Sequence, residues 1–380
     1  MPFILSSQSV FDYLITQELC GIQEHSASEI TLKPGKNFNL LIRLPDDRQF
    51  LVKQERHDRE GKTRGEFVHE WRIHEFLRKF PELSQIHSYF SEAIHFDAEN
   101  SIIVFKYLNE YRDLADFYIQ ENYFPTEVAR ILGATLGSIH RLTLNREDYQ
   151  EFWIADETKP YLAGGLERIT PEIFGMVSTD GLKFFALYQR YDQLGKAIAY
   201  LSQALVPCCL THNDLKLNNI LISLNWEAGV SQEVIRLIDW ERCAWGDPAN
   251  DLGTLIASYL QIWLYSMVTS KAIAIEDSLR LATTPLQILQ PSIAALTSAY
   301  LAHFPEVLEF RPDFLQLVLQ FCGLALIRSI QATLQHEKTF DNSGICMLQV
   351  AKSLLCRPSA SIPTIFGMEA SKMIHMSLSR

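Results

Sequence analysis

The stretch Leu210-Thr-His-Asn-Asp-Leu-Lys-Leu-Asn-Asn-Ile-Leu-Ile222, followed by Leu237-Ile-Asp-Trp-Glu241, decides how this chain is read. It sets His212, Asp214 and Asn219 in the order His-x-Asp-x-x-x-x-Asn, and an apolar run then ends in Asp239. Residues 220–222 and 234–238 are short and rich in β-branched side chains, which predicts two buried strands. Residues 224–233 between them include Asn225 and Gly229 and predict a hairpin loop. In an antiparallel pair the start of the first strand lies beside the end of the second, so Asn219 and Asp239 are expected to meet. Two converging oxygen ligands suit a hard cation such as Mg²⁺ next to a nucleoside triphosphate. Asp214, on the preceding loop, is aimed at the same place as a hydroxyl-activating carboxylate.

Working outward, 380 residues are too many for one ordinary core and suit two lobes. A composition of 47% hydrophobic and 21% charged residues is that of a soluble globular protein. A net charge of −11 argues against a nucleic-acid binder, which needs a basic face. The seven cysteines are scattered with no Cys-x-x-Cys pair, which predicts reduced thiols and a cytoplasmic setting. The opening Met-Pro-Phe-Ile-Leu-Ser lacks the basic segment of a signal peptide. The longest apolar stretch, 252–268, is interrupted by Thr254, Ser258, Gln261 and Ser266, so a buried helix is expected there and no membrane span.

Residues 9–19 predict a short helix. Residues 30–33, 38–44 and 50–54, broken by Pro34-Gly35 and Pro45-Asp46-Asp47, predict three antiparallel strands. Residues 56–66 read as a charged, mobile loop, and 67–80 as a helix with Phe67, Trp71, Phe76 and Leu77 on its stripe. Residues 102–108 read as a strand running into a connector. Helices are expected at 126–142, 182–205, 251–268, 291–301 and 313–335. Lys53 stands in mid-strand among apolar neighbours, where a lysine is costly unless paired.

The motifs His212-Asn-Asp-Leu-Lys-Leu-Asn-Asn219, Ile238-Asp-Trp-Glu241 and Trp245-Gly-Asp-Pro-Ala-Asn-Asp-Leu252 come in one order, preceded by Leu132-Gly-Ala-Thr-Leu-Gly-Ser-Ile-His-Arg141. In this combination the chain resembles the aminoglycoside phosphotransferase and choline kinase superfamily over roughly residues 10–335. The resemblance implies an α+β, bilobal protein-kinase-like fold. A small antiparallel-sheet N-lobe (1–108) would be followed by a large, mainly helical C-lobe (109–380). A ligand is expected in the cleft between lobes.

The resemblance also implies roles. Asp214 would be the base and Asn219 and Asp239 the Mg²⁺ ligands, with His212 a scaffold residue. Asp251 would hold the catalytic-loop backbone and also reads as the N-cap of its helix, and Asp247-Pro248 reads as a turn. Lys53 would bind the ATP phosphates, with Glu70 as its helix partner ahead of Glu75 and Glu66. The segment Phe105-Lys-Tyr-Leu108, with Phe105 and Tyr107, resembles the hinge that binds the purine. The phosphate-covering loop, 33–39, has one glycine, Gly35, where two or three are usual. Gly61-Lys62-Thr63 is not a P-loop, because position 56 is Arg.

Asn213 stands where antibiotic kinases carry glycine and matches choline and ethanolamine kinases. Lys216 matches a residue of Ser/Thr protein kinases that neutralises the moving phosphoryl group. Trp240, Trp245, Tyr259 and Trp263 are read as core in preference to a quaternary-ammonium box. The expected activity is ATP- and Mg²⁺-dependent phosphoryl transfer to a hydroxyl of a small molecule, such as an amino alcohol or amino sugar. A peptide Ser/Thr kinase and a nucleotide-binding pseudokinase are the alternatives.

Overall fold

The computed structural model describes residues 3–154, 166, 177–228, 234–268, 273 and 275–378. It divides into two compact units, Met1–Arg112 with Leu221–Cys243, and Asp113–Ile220 with Ala244–Arg380.

The first unit is built on a five-stranded sheet of order β1-β2-β3-β5-β4. Its strands are β1 (Glu29–Lys33), β2 (Phe38–Arg43), β3 (Gln49–Gln54), β4 (Ala93–Asp97) and β5 (Ile102–Lys106), paired antiparallel throughout. Period-two alternation gives the sheet two apolar faces. Leu40, Ile42, Val52, Ile102 and Val104 pack against Val10, Phe11 and Leu14 of helix α1 (Val10–Thr16). On the other face Ile103 and Phe105 pack against Phe67 of helix α2 (Glu66–Lys79), with Leu51 beside them. Lys53 follows Leu51 by two residues and so shares the face that α2 covers.

Strand β4 was not expected. Its residues Ala-Ile-His-Phe-Asp are only half-buried along their whole length, so the apolar signal is weak. A further sheet of order β6-β8-β9 comprises Tyr111–Asp113, Ile220–Ser223 and Ile235–Leu237. Residues 224–228 turn after β8, and the rest of the expected hairpin loop, 229–233, lies outside the described residues.

The second unit is helical apart from β7 (Cys209–Thr211), which pairs antiparallel with β10 (Ala244–Gly246). In chain order its helices are α3 (Leu114–Glu121), α4 (Thr126–Thr143), α5 (Glu147–Ile154), α6 (Thr179–Gln189), α7 (Asp192–Gln203) and α8 (Pro248–Tyr265). They continue with α9 (Ile275–Arg280), α10 (Leu286–His303), α11 (Val307–Phe310), α12 (Phe314–His336), α13 (Asn342–Cys356), α14 (Pro358–Phe366) and α15 (Ala370–Leu378). Gly133 and Gly137 lie one turn apart on α4, and a Cβ at either would collide with α10 backbone at Leu296 and Tyr300. The Leu-Gly-x-x-Leu-Gly motif is therefore a close helix–helix contact.

Several expected boundaries shift. The stretch 182–205 is two helices, α6 and α7, separated at Arg190 and Tyr191. Helix α8 begins at Pro248 rather than Asp251, because Asp247 caps it by accepting from the Ala249 N–H at 3.0 Å. Helix α10 begins at Leu286 and carries Pro291 inside it. Helices α13 to α15 follow the last expected helix.

Among the described residues, α12 is long and apolar enough to cross a membrane, and 61% of its most apolar window is buried inside the protein. It packs against α8 and α13 as a core helix.

Arg311 and Asp247 form a buried ion pair, Nη1 to Oδ2 at 2.8 Å, with side-chain exposures of 9% and 1%. Arg311 also donates to the Ala204 carbonyl, and Asp247 accepts from the Val206 N–H. Arg311→Ala strands a buried carboxylate and is expected to cost about 3–5 kcal/mol in denaturant unfolding. A loss below about 1 kcal/mol would contradict the pairing's structural role.

Candidate active site

The loop after β7 is fixed from below. Asp251, buried in the first turn of α8, accepts the His212 N–H on Oδ2 at 2.6 Å and the Asn213 N–H on Oδ1 at 2.8 Å. Its second job, as helix cap, belongs instead to Asp247. His140 Nε2 lies 3.3 Å from Asp251 Oδ2, and its Nδ1 pairs with the Tyr300 hydroxyl at 2.9 Å. All three are buried, and burial raises the Tyr300 pKa well above the usual tyrosine value. His140 and Tyr300 extend the loop's support into α4 and α10. Sequence reading missed that role, although His140 sits in the quoted 132–141 motif.

Asn213 has φ 62°, in the left-handed region that glycine and asparagine tolerate best. Its Oδ1 accepts from Asn250 Nδ2 at 3.0 Å, which explains how Asn replaces glycine here. His212 is buried, and its Nδ1 lies 3.4 Å from the Asp214 N–H, a weak contact consistent with a scaffold residue. Lys216 Nζ lies 3.2 Å from Asp214 Oδ2. Asn219 donates from Nδ2 to the Asp214 carbonyl at 2.8 Å. That bond fixes the amide and leaves its Oδ1 without a hydrogen-bond partner among the described residues.

In the first unit, Lys53 Nζ contacts Asp239 Oδ1 at 2.6 Å and Glu70 Oε1 at 3.9 Å, and lies 5.1 Å from the centre of the Phe105 ring. Glu70 is thus on the expected helix face, but Asp239 is the nearer partner. Glu66 is paired with Lys36 instead, and Glu75 accepts from the Trp71 indole. Burial alone would lower the Lys53 pKa, but Asp239 and Glu70 outweigh it and hold the ammonium above the usual lysine value. Burial pushes the Glu70 carboxyl up, and its Oε2 is buried without a partner. Asp239 has φ 59°, a left-handed backbone that costs a non-glycine residue energy and is concentrated at functional positions.

Gly35 sits at the exposed turn between β1 and β2, where a Cβ would collide with the Asn39 amide. Lys36 beside it pairs with Glu66 and, at 3.7 Å, with Glu241. In the connector, the Lys106 N–H donates to Glu92 and the Tyr107 N–H donates to Gln49 at 2.8 Å. Those two donors are consumed within the unit, whereas the Leu108 N–H has no partner among the described residues. Phe105 is a buried β5 residue, and Tyr107 has Lys33 Nζ 5.7 Å from its ring centre. Trp240, Trp245 and Tyr259 are buried: Trp240 stacks near Phe90 at 4.6 Å, and Tyr259 bonds Tyr118 through their hydroxyls at 2.9 Å. Trp263 is half-buried on α8. They are packing residues.

No cluster of three or more His, Cys, Asp or Glu among the described residues could hold a cation by itself. Magnesium needs none, since it takes one or two protein oxygens and completes its shell with water and phosphate oxygens. The open Asn219 Oδ1 and the Asp239 carboxylate are donors of that kind, and Lys53 is a buried ammonium suited to phosphate.

Comparisons with known proteins give the family and the fold. Residues 36–264, more than half of the chain, match the family model APH, the phosphotransferase enzyme family. The 4-hydroxytryptamine kinase of Psilocybe cubensis is 22% identical over 172 residues, covering 43% of this chain and 44% of that protein. The chain therefore spans less than half the length of that curated relative. The ethanolamine kinase Pv091845 of Plasmodium vivax superposes with a TM-score of 0.54 at 13% identity, over 91% of this chain and 89% of that one. A choline/ethanolamine kinase family protein from Mesorhizobium loti gives a TM-score of 0.47 at 14% identity, over 98% and 99%. The fold is the α+β protein-kinase-like type, and the chain belongs to the phosphotransferase enzyme family, whose members pass a phosphoryl group to an alcohol group.

Proposed function

We propose that this protein transfers the γ-phosphoryl group of ATP, with Mg²⁺, to the hydroxyl of a small molecule. The observation that carries the reading is the catalytic loop. Asp251 pins it by two N–H bonds, Asp214 stands beside Lys216, and the Asn219 amide is tied so that its oxygen is open.

Asp214 orients the acceptor hydroxyl and takes its proton as the new O–P bond forms. The bond from the γ-phosphorus to the β–γ bridging oxygen breaks, and its electron pair leaves with ADP. Lys216 lies where it can offset charge on the moving phosphoryl group. Lys53 holds phosphate oxygens, and Glu70 keeps it in place. The Asp239 carboxylate and Asn219 Oδ1 would hold Mg²⁺, which supplies charge neutralisation on the phosphates when bound. The free Leu108 N–H reads the purine edge, flanked by Phe105 and Tyr107, and Gly35 lets the turn come close to phosphate.

The first unit is assigned to the nucleotide and the second to the acceptor and the catalytic loop. The acceptor is an alcohol; the names of two relatives, an ethanolamine kinase and a 4-hydroxytryptamine kinase, supply the first compounds to assay. The cysteines are free thiols, which suits a cytoplasmic setting.

Lys53→Ala tests the nucleotide half. It should weaken ATP binding by about 10- to 100-fold, the worth of a charged hydrogen bond, while adenosine binding changes little. Calorimetric titration with both ligands reads this directly, and equal weakening of the two would contradict a phosphate contact.

A further inference from the structure

The second unit contains a cavity of about 510 Å³, the size of a small-molecule site. One wall is Leu217 and Asn218, three and four residues after Asp214 in the catalytic loop. Another is the stretch of α8 bearing Ser258, Gln261 and Tyr265, on the same helix whose first turn holds that loop through Asp251. Helix α3 closes the opposite side with Tyr118 and Ile119.

The lining chemistry is specific. Among the described residues, no Asp, Glu, Lys, Arg or His lines the cavity. Its tyrosines are engaged elsewhere, Tyr118 with Tyr259 and Tyr265 with Ser329. The half-buried Gln261 amide has no hydrogen-bond partner among the described residues. Ile119 and Tyr265, which border the cavity, are 66% and 57% exposed.

We propose that this cavity receives the uncharged, ring-bearing body of the acceptor, with the Gln261 amide as its polar anchor. This rests on the phosphotransferase reading above and sharpens it. An ammonium group would find no carboxylate inside, and burying it there unpaired is unfavourable. A peptide's apolar anchor would leave the Gln261 amide unsatisfied. An aromatic alcohol with a second, uncharged polar group on its ring satisfies both the apolar walls and the amide, and still brings its alkyl hydroxyl to the loop that carries Asp214.

The test needs no turnover. Tyrosol, 4-(2-hydroxyethyl)phenol, and ethanolamine are titrated into the full chain and followed by ligand-observed NMR. The proposal expects saturable binding of tyrosol that is at least about 10-fold tighter than that of ethanolamine. Gln261→Leu, which keeps the size and removes the amide, should weaken it by about 3- to 10-fold. Ile119→Trp, at an exposed position that cannot disturb the core, should narrow the mouth and abolish it. Unchanged melting temperatures show that both variants fold.

No saturable binding, tighter ethanolamine binding, or equal binding to all three proteins would overturn the proposal. So would tyrosol that binds in the cavity but is never phosphorylated while another alcohol is, without competing with it. Binding of ATP to the wild-type chain is measured in parallel. Its absence would sink the phosphotransferase roles, whereas the cavity's specificity is decided by the titrations alone.

Discussion

Asp214→Asn is expected to lower phosphoryl transfer to the acceptor by about 10²- to 10⁴-fold, the usual worth of a positioned proton acceptor. The substitution preserves shape, and the loop around it is held by groups it does not touch: Asp251 on the His212 and Asn213 N–H groups, and Asn219 on the Asp214 carbonyl. ATP affinity should therefore change little. The split is what matters, because a misfolded loop would lose both. Transfer that survives undiminished would remove Asp214 from the mechanism and leave it a turn residue.

Asp239→Ala is expected to reduce Mg²⁺-dependent turnover by about 10³-fold or more, since on the proposed reading it removes a carboxylate that would hold the cation. It also takes away the nearest partner of Lys53, which keeps Glu70 at 3.9 Å. The fold should persist, because the Asp239 side chain is 39% exposed and lies after β9, outside the apolar core. Near-normal activity at saturating Mg²⁺ would make the metal assignment wrong, whatever the unfolding curve shows.

The site was more legible than its supports. Asp214, Lys216, Asn219 and Asp239 are polar residues at fixed spacing beside short apolar strands, so motif and local structure point the same way. Lys53 announced itself as a charge in an apolar strand, whereas Glu70 came from the family resemblance and not from the period of its helix. The cap was misread because Asp247 and Asp251 both stand at the start of α8. Only the packing shows that Asp247, next to Pro248, takes the cap and leaves Asp251 for the loop. Tyr300 supports His140 from 160 residues away, a pairing no local pattern encodes. Strand β4 was missed because its half-buried residues give no strong alternation. The cavity was invisible for a related reason: Ser258 and Gln261 looked like polar breaks in an apolar helix, and only folding sets them against the catalytic loop.

The central claim is transfer of a phosphoryl group to an alcohol. It is tested most directly by incubating the full chain with ATP, Mg²⁺ and a panel containing ethanolamine, 4-hydroxytryptamine, an amino sugar, tyrosol and a Ser-containing peptide, and recording ³¹P NMR spectra. The account predicts a phosphate monoester of a small-molecule alcohol, formed with matching ADP, absent without Mg²⁺ and strongly reduced in Asp214→Asn. A monoester on the peptide alone, or one formed equally well by Asp214→Asn, would contradict it.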